Sequence, residues 1–314
     1  MSTLRAAFLD IGTNTILCLI AELSGGGRFT VLDDLAEISR LGEGVDRSGR
    51  IGADGERRSV EVLRNCLELC KRLGVGEIIA VGTSALRDAN NSAEVRARFK
   101  KELALEVRVI SGDEEAAYSF LAVQKGLRFP GEELLVIDIG GGSTEFIRGN
   151  ELGVSQTLSV NIGSVRLTER FLRSDPVRED ECAAMIAAID QEFIPLRDRR
   201  LDRASALTLV GIAGTFTTLA AVEKKLARYS HAEVHGSTLA LSEVRRQVRL
   251  FQEKSVAERK TIPGLEPKRA DVILAGAYLI ERIMTLFRAE RVIVSDQGVR
   301  YGLLHERIKF ADDC

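Results

Sequence analysis

Residues 137–145 read Ile-Asp-Ile-Gly-Gly-Gly-Ser-Thr-Glu, and the apolar run 134–139 leads into them. Three adjacent glycines at a strand end let successive backbone N–H groups converge on an anion with no Cβ in the way, so the string reads as a phosphate-binding turn. The bland alternative is a hairpin turn whose glycines only permit positive φ. A Walker A loop is excluded, because no GxxxxGK[ST] occurs and the residues that follow are apolar and β-branched.

The N-terminus repeats the device. Asp10-Ile11-Gly12 closes an apolar run over 5–11, Gly12-Thr13-Asn14 makes the turn, and a second run follows over 15–23. Its match to Asp138-Ile139-Gly140 predicts a duplicated domain, with boundaries at 1–127 and 128–314, a hinge at 127–133 around Pro130 and Gly131, and the last helix packing back on the first domain. Between the turns, Val60, Leu63, Leu67 and Leu69 recur at helical spacing over 54–73, with Asp54 as cap and Gly74 as stop. Strands are expected at 28–39, 77–82 and 106–110, a helix at 91–103, and another that opens on a capping box, Ser111-Gly-Asp-Glu114, and ends near Gly126. In the second half, strands at 144–149, 152–160, 206–211 and 291–295 alternate with helices at 164–173, 178–193, 215–228, 242–253 and 267–287. The pattern is a layered α/β fold.

Composition narrows the partners. The 314 residues, 45% hydrophobic, suffice for two cores. Forty-four Lys plus Arg against forty-six Asp plus Glu leave a net charge of −2, so no global field draws in a polyanion and duplex nucleic acid is not expected as a partner. The cysteines at 18, 66, 70, 182 and 314 are odd in number and form no CxxC pair; they read as reduced core thiols. Asp10 and Gly12 interrupt the apolar N-terminus and no apolar run is long enough to cross a bilayer, so the expected location is the cytoplasm, without membrane association.

Several side chains carry the chemistry. Asp138 and Glu145 flank the glycine turn, and two carboxylates beside a phosphate call for a hard cation such as Mg²⁺, which Asp10 of the matching turn could reach through water. In Val210-Gly-Ile-Ala-Gly-Thr215 a strand passes into a helix, so Gly214 and Thr215 offer N–H groups and a positive dipole end, or simply form a tight βα turn. The capping box employs Glu114, which leaves Glu115 as a base or as a plain complement to the helix dipole. Arg87, in the turn-rich segment 82–91, either holds phosphate oxygens or pairs with Asp88. Lys224, Lys225, Arg228, Arg245, Arg246, Arg259, Lys260, Lys268 and Arg269 form either a basic track for a long polyanion or solvated helix faces. His231, His235 and His305 read as scattered surface or packing residues.

Taken in order, DIGTNT at 10–15, TSALRDANN at 83–91, ISGDEEA at 110–116, IDIGGGSTE at 137–145, IAGTFTTLAA at 212–221, IPGLEPKRADVILAGA at 262–277 and SDQGVRYG at 295–302 resemble the exopolyphosphatase/guanosine pentaphosphate phosphohydrolase family. The resemblance covers essentially the whole chain. It implies the actin-like fold of the sugar kinase/Hsp70/actin group, with two duplicated ribonuclease H-like domains and a cleft between them. It also implies release of terminal phosphate from inorganic polyphosphate or guanosine pentaphosphate, with Glu115 as the catalytic base. Asp138, Glu145 and Asp10 are implied as the carboxylates around Mg²⁺ or Mn²⁺, with stimulation by K⁺. Gly12, Thr13, Asn14, Arg87, Gly141, Gly142, Ser143, Thr144, Gly214 and Thr215 are implied as phosphate ligands, and a homodimer as the assembly. Thr13 and Thr15 stand where many relatives have serine, and the spacing from Glu115 to Asp138 is one residue longer than usual. The chain resembles the short, two-domain class, without the C-terminal HD-type region. An actin-like kinase and a guanosine polyphosphate sensor with little turnover are the alternatives of another class.

Overall fold

The computed structural model describes residues 4–198 and 207–312. The chain divides into two compact units, residues 1–122 with 299–314, and residues 123–298. The division does not fall at 127/128. The helix Gly112–Gly126 runs unbroken across residue 122, so the segment 127–133 lies wholly inside the second unit. The closing helix, Val299–Asp312, belongs to the first unit.

Each unit is built on one sheet. In the first, β1 (Leu4–Ile11), β2 (Thr15–Ser24), β3 (Arg28–Ile38), β4 (Glu77–Gly82) and β5 (Arg108–Val109) lie in the order β3-β2-β1-β4-β5. In the second, β6 (Glu133–Ile139), β7 (Thr144–Asn150), β8 (Gly153–Val160), β9 (Leu207–Ile212), β10 (Thr238–Ala240) and β11 (Arg291–Val294) lie in the order β10-β11-β9-β6-β7-β8. Read from β8, the second order repeats the first: an antiparallel three-strand meander, then two parallel strands beside its first member. β10 is the addition. This is the duplication that the two Asp-Ile-Gly strings announce.

The cores follow from the periodicities. Ala7, Leu9 and Ile11 of β1 alternate onto one face with Ile16, Cys18 and Ile20 of β2, and Val60, Leu63, Cys66 and Cys70 of the helix Ala53–Arg72 cover them. Asp54 does not cap that helix, whose N-cap is Gly52; Gly74, at φ 67°, supplies the stop. In the second unit Ile137, Ile139 and Phe146 join one core with residues of the helices Ala213–Glu223 and Ile273–Leu286, the latter preceded by a short 3₁₀ turn at Pro267–Arg269. Among the described residues no helix is long and apolar enough to cross a membrane.

Candidate active site

In the first unit the C-terminal ends of the parallel strands gather the chemistry. Ile11 of β1 lies beside Gly82 of β4, and Gly82 beside Val109 of β5. The turn after β1, the helix Ser84–Asp88 after β4 and the helix Gly112–Gly126 after β5 therefore open on one edge. Gly12 N–H donates to Thr15 O at 3.1 Å, and a Cβ on Gly12 would stand 3.0 Å from that oxygen, which is why glycine sits there. The carbonyls of Thr13 and Asn14 accept from Gly42 and from Ser39 and Arg40. Among the described residues the Thr13 and Asn14 N–H groups donate to no backbone acceptor.

Glu115 is buried one residue past the capping box, which forms as expected: Ser111 N–H donates to Glu114, and Glu114 N–H to Ser111 Oγ. Arg87 Nη1 donates to Glu115 Oε2 at 2.9 Å and to Ile110 O at 3.3 Å. Burial pushes the Glu115 carboxyl up, Arg87 pulls it down, and burial wins. Asp10, on β1, is pushed up to about 7 by burial and by the Glu115 charge, against the pull of Arg300. One of its oxygens, Oδ1, is buried without a hydrogen-bond partner. Such an atom costs free energy unless a proton or a cation answers it.

Arg300 is the residue the sequence reading missed. It sits on the closing helix and holds Asp34 of β3 by a two-pronged bond, Nε to Oδ1 at 2.7 Å and Nη2 to Oδ2 at 3.0 Å, while Tyr301 OH reaches Oδ2 at 3.0 Å. The last helix is expected on the first domain, but nothing local in the string 295–302 pairs Arg300 with Asp34.

In the second unit β6 and β7 frame the Gly140–Ser143 turn. Gly140 N–H donates to Ser143 O at 3.0 Å, the counterpart of the Gly12–Thr15 bond. None of the three glycines takes positive φ, so conformational freedom is not their use. The carbonyls of Gly140 and Gly141 instead accept from Ser164, Val165 and Arg166 at the start of the helix Ser164–Phe171. With those carbonyls engaged, the N–H groups of Gly141, Gly142 and Ser143 have no backbone acceptor among the described residues. The close approach rests on Gly163, whose Cβ would stand 2.5 Å from Gly141 C.

Asp138 and Glu145 are cross-strand partners in the β6–β7 ladder. Directly opposed residues put their Cβ atoms roughly 4.5–5.5 Å apart on one face, where like charges repel. Glu145 is buried and accepts from Ser159 Oγ at 3.0 Å. Thr144 Oγ1 is turned away to Ile162 O at 2.7 Å. Among the described residues no group of His, Cys, Asp and Glu forms a protein-only metal cage. Opposed carboxylates without a cage suit Mg²⁺, which takes one or two carboxylates and fills its remaining positions with water and phosphate oxygens.

β9 lies beside β6, with Ile212 next to Asp138, so the turn into the helix Ala213–Glu223 opens on the same edge. Ala213 adopts φ 68°, an uncommon value outside glycine. At Gly214 the Arg269 guanidinium packs so closely that a Cβ would stand 2.1 Å from Nη1. Arg269 is thus a basic-track candidate that the fold brings against the turn at Gly214. Arg259 is not a track residue: it is fully buried and donates to Phe251 O and Ala270 O. Arg245 and Arg246 pair with Glu281 and Glu243. The histidines are not all scattered either. His231 Nδ1 and His235 Nδ1 meet the two oxygens of Asp296 at 2.5 and 3.1 Å.

The model of the Ppx/GppA phosphatase family matches residues 19–310. Exopolyphosphatase 2 of Mycobacterium tuberculosis is 33% identical, over 96% of this chain and 98% of its own length. A bifunctional 3-dehydroquinate synthase/phosphatase of Fusobacterium nucleatum is 32% identical over 98% of the chain, which spans only 47% of that longer protein. The crystal structure of the Aquifex aeolicus member of the Ppx/GppA family superposes with a TM-score of 0.81 at 33% identity, covering 99% of both chains.

Proposed function

Since the chain belongs to the Ppx/GppA phosphatase family, and so has the duplicated actin-like α/β fold, we propose that it is an exopolyphosphatase, a phosphoric anhydride hydrolase that releases terminal orthophosphate from inorganic polyphosphate. The observation that carries the reading is the buried Glu115 carboxylate, oriented by Arg87 at 2.9 Å and raised above the ordinary carboxylate range by burial. A general base has to be ionised yet still able to take a proton near the working pH, and this environment provides both.

Glu115 accepts a proton from water and orients it for in-line attack on the terminal phosphorus, so no phosphoenzyme is needed. The unengaged N–H groups of Gly141, Gly142 and Ser143, and those at Gly214 and Thr215 with Arg269 beside them, bind phosphoryl oxygens whose charge grows in the transition state. Thr13 and Asn14 contribute backbone N–H groups in the same manner. Asp138 and Glu145 are the residues to hold Mg²⁺, which when bound would neutralise phosphate charge. The names of the relatives at 28–33% identity support polyphosphate as substrate.

The deciding experiment measures initial phosphate release from medium-chain polyphosphate and from guanosine pentaphosphate in parallel, with Mg²⁺, for wild type and Glu115→Gln. Faster, Glu115-dependent release from polyphosphate is the expected result. The reverse ranking makes the chain a pentaphosphate phosphohydrolase, and no release from either overturns the hydrolase reading.

A further inference from the structure

Three thiols of the first unit take no part in this chemistry. Cys18 lies on β2 and faces the helix Ala53–Arg72, from which Cys66 and Cys70, one turn apart, face back. All are free and buried, at 0, 2 and 1% exposure. The Cys18 thiol lies within hydrogen-bonding reach of both the others. Cys70 differs from its neighbours in also lining a groove of about 460 Å³, with Leu67, Lys71, Val75, Ile78 and Leu105.

We propose that Cys70 and Cys18 form a reversible disulfide when a two-electron oxidant of the peroxide class enters the groove. The Cys70 thiolate attacks one peroxide oxygen, the O–O bond breaks, and the departing oxygen leaves as water, giving a sulfenic acid at Cys70. The Cys18 sulfur then displaces that hydroxyl, which leaves as a second water with the Cys18 proton. Two thiols and one hydrogen peroxide become one disulfide and two waters; the sulfurs are oxidised and the peroxide reduced. A dithiol restores the thiols by exchange.

Proton ownership within the triad favours this order. Hydrogen bonds with Cys66 and Cys70, and then burial, push the Cys18 thiol up, so it keeps its proton; hydrogen bonding to Cys18 holds both Cys66 and Cys70 below the ordinary thiol range, which leaves the groove to choose between them. Both are buried, but Cys70 lines the groove and Cys66 does not. A bridge from Cys66 to Cys70 is disfavoured, since side chains four apart on one helix run side by side. In a reducing compartment a bond of this kind is transient and redox-sensing.

The test treats the folded wild-type protein with hydrogen peroxide, blocks remaining thiols with iodoacetamide and maps the digest by mass spectrometry. The expected product is a Cys18–Cys70 cross-linked peptide, lighter by two hydrogens and undone by dithiothreitol. Cys66→Ala retains it, and Cys18→Ala stops at a sulfenic acid on Cys70 that dimedone traps. Because Cys18→Ala leaves a small cavity, its thermal melt is recorded alongside, and the wild-type map decides by itself. A Cys66–Cys70 link, a sulfinic acid on Cys70 without any link, or three thiols inert until the protein is unfolded would each overturn the proposal.

Discussion

Arg87 and Glu115 form a half-buried ion pair, 2.9 Å from Nη1 to Oε2, in which the arginine lowers the affinity of the carboxylate for a proton while burial raises it. Removing Arg87 leaves burial unopposed. In Arg87→Ala the acid limb of the kcat/KM profile therefore moves to higher pH than in wild type. Initial rates across the acidic and neutral range check this, and an unmoved limb removes Glu115 from the role of base.

Glu115→Gln keeps the size of the side chain and loses the base. Its turnover falls by roughly 10²- to 10⁴-fold, the usual worth of a positioned general base. Its melting temperature does not fall, because no buried carboxylate has to be desolvated in the variant. A parallel assay and melt separate loss of chemistry from loss of fold.

Asp138→Asn removes one carboxylate of the opposed pair. The Mg²⁺ concentration for half-maximal rate rises by at least the roughly 10- to 100-fold that loss of supporting residues costs at metal sites. Chelation abolishes wild-type turnover, and added Mg²⁺ restores it. Magnesium titrations of the two proteins under identical substrate give the answer.

Gly163→Ala drives a Cβ into the Gly141 backbone, 2.5 Å from its carbonyl carbon. Neither side is a flexible side-chain end, so the turn has to shift, at a cost of about 1–3 kcal/mol. Phosphate release falls further than stability alone explains if, as proposed, the displaced N–H groups bind the substrate. Denaturant melts and rates on the same preparation test both parts.

His235 adds a pH dependence to stability. Burial alone pushes its imidazole down, but the Asp296 carboxylate and the Gly126 carbonyl more than compensate, leaving it above the ordinary 6.5. The folded state then binds the proton more tightly than the unfolded state, so the contribution is complete below pH 6.5 and is lost as pH rises through the folded value. Thermal midpoints of wild type and His235→Gln differ most in the acid range and converge at higher pH.

Much of the fold was legible because its signals are local. The Asp-Ile-Gly strings, the capping box at Ser111–Glu114 and the strand over 77–82 each rest on neighbours in sequence, and the structure places them where those neighbours dictate. Arg300, Arg259 and the Asp296 histidines were not legible for the opposite reason. Arg300 meets Asp34 across 266 residues and Arg259 is held by the carbonyls of Phe251 and Ala270 in two other elements, so no spacing rule separates them from surface cations. The glycine triplet was read for its anion-binding shape, but that its carbonyls are occupied by the helix Ser164–Phe171 follows only from the tertiary approach of Gly163.

The closing helix Val299–Asp312 has a consequence for biosynthesis. It belongs to the unit that begins at the N-terminus, supplies Arg300 beside Asp10 and carries buried Leu303 and Leu304. A ribosome translating this chain extrudes the whole of residues 123–298 before that helix exists. The middle of the chain is therefore free to fold first, and a chain cut short before Val299–Asp312 lacks both the Arg300 charge beside Asp10 and the buried Leu303 and Leu304 that complete the first unit.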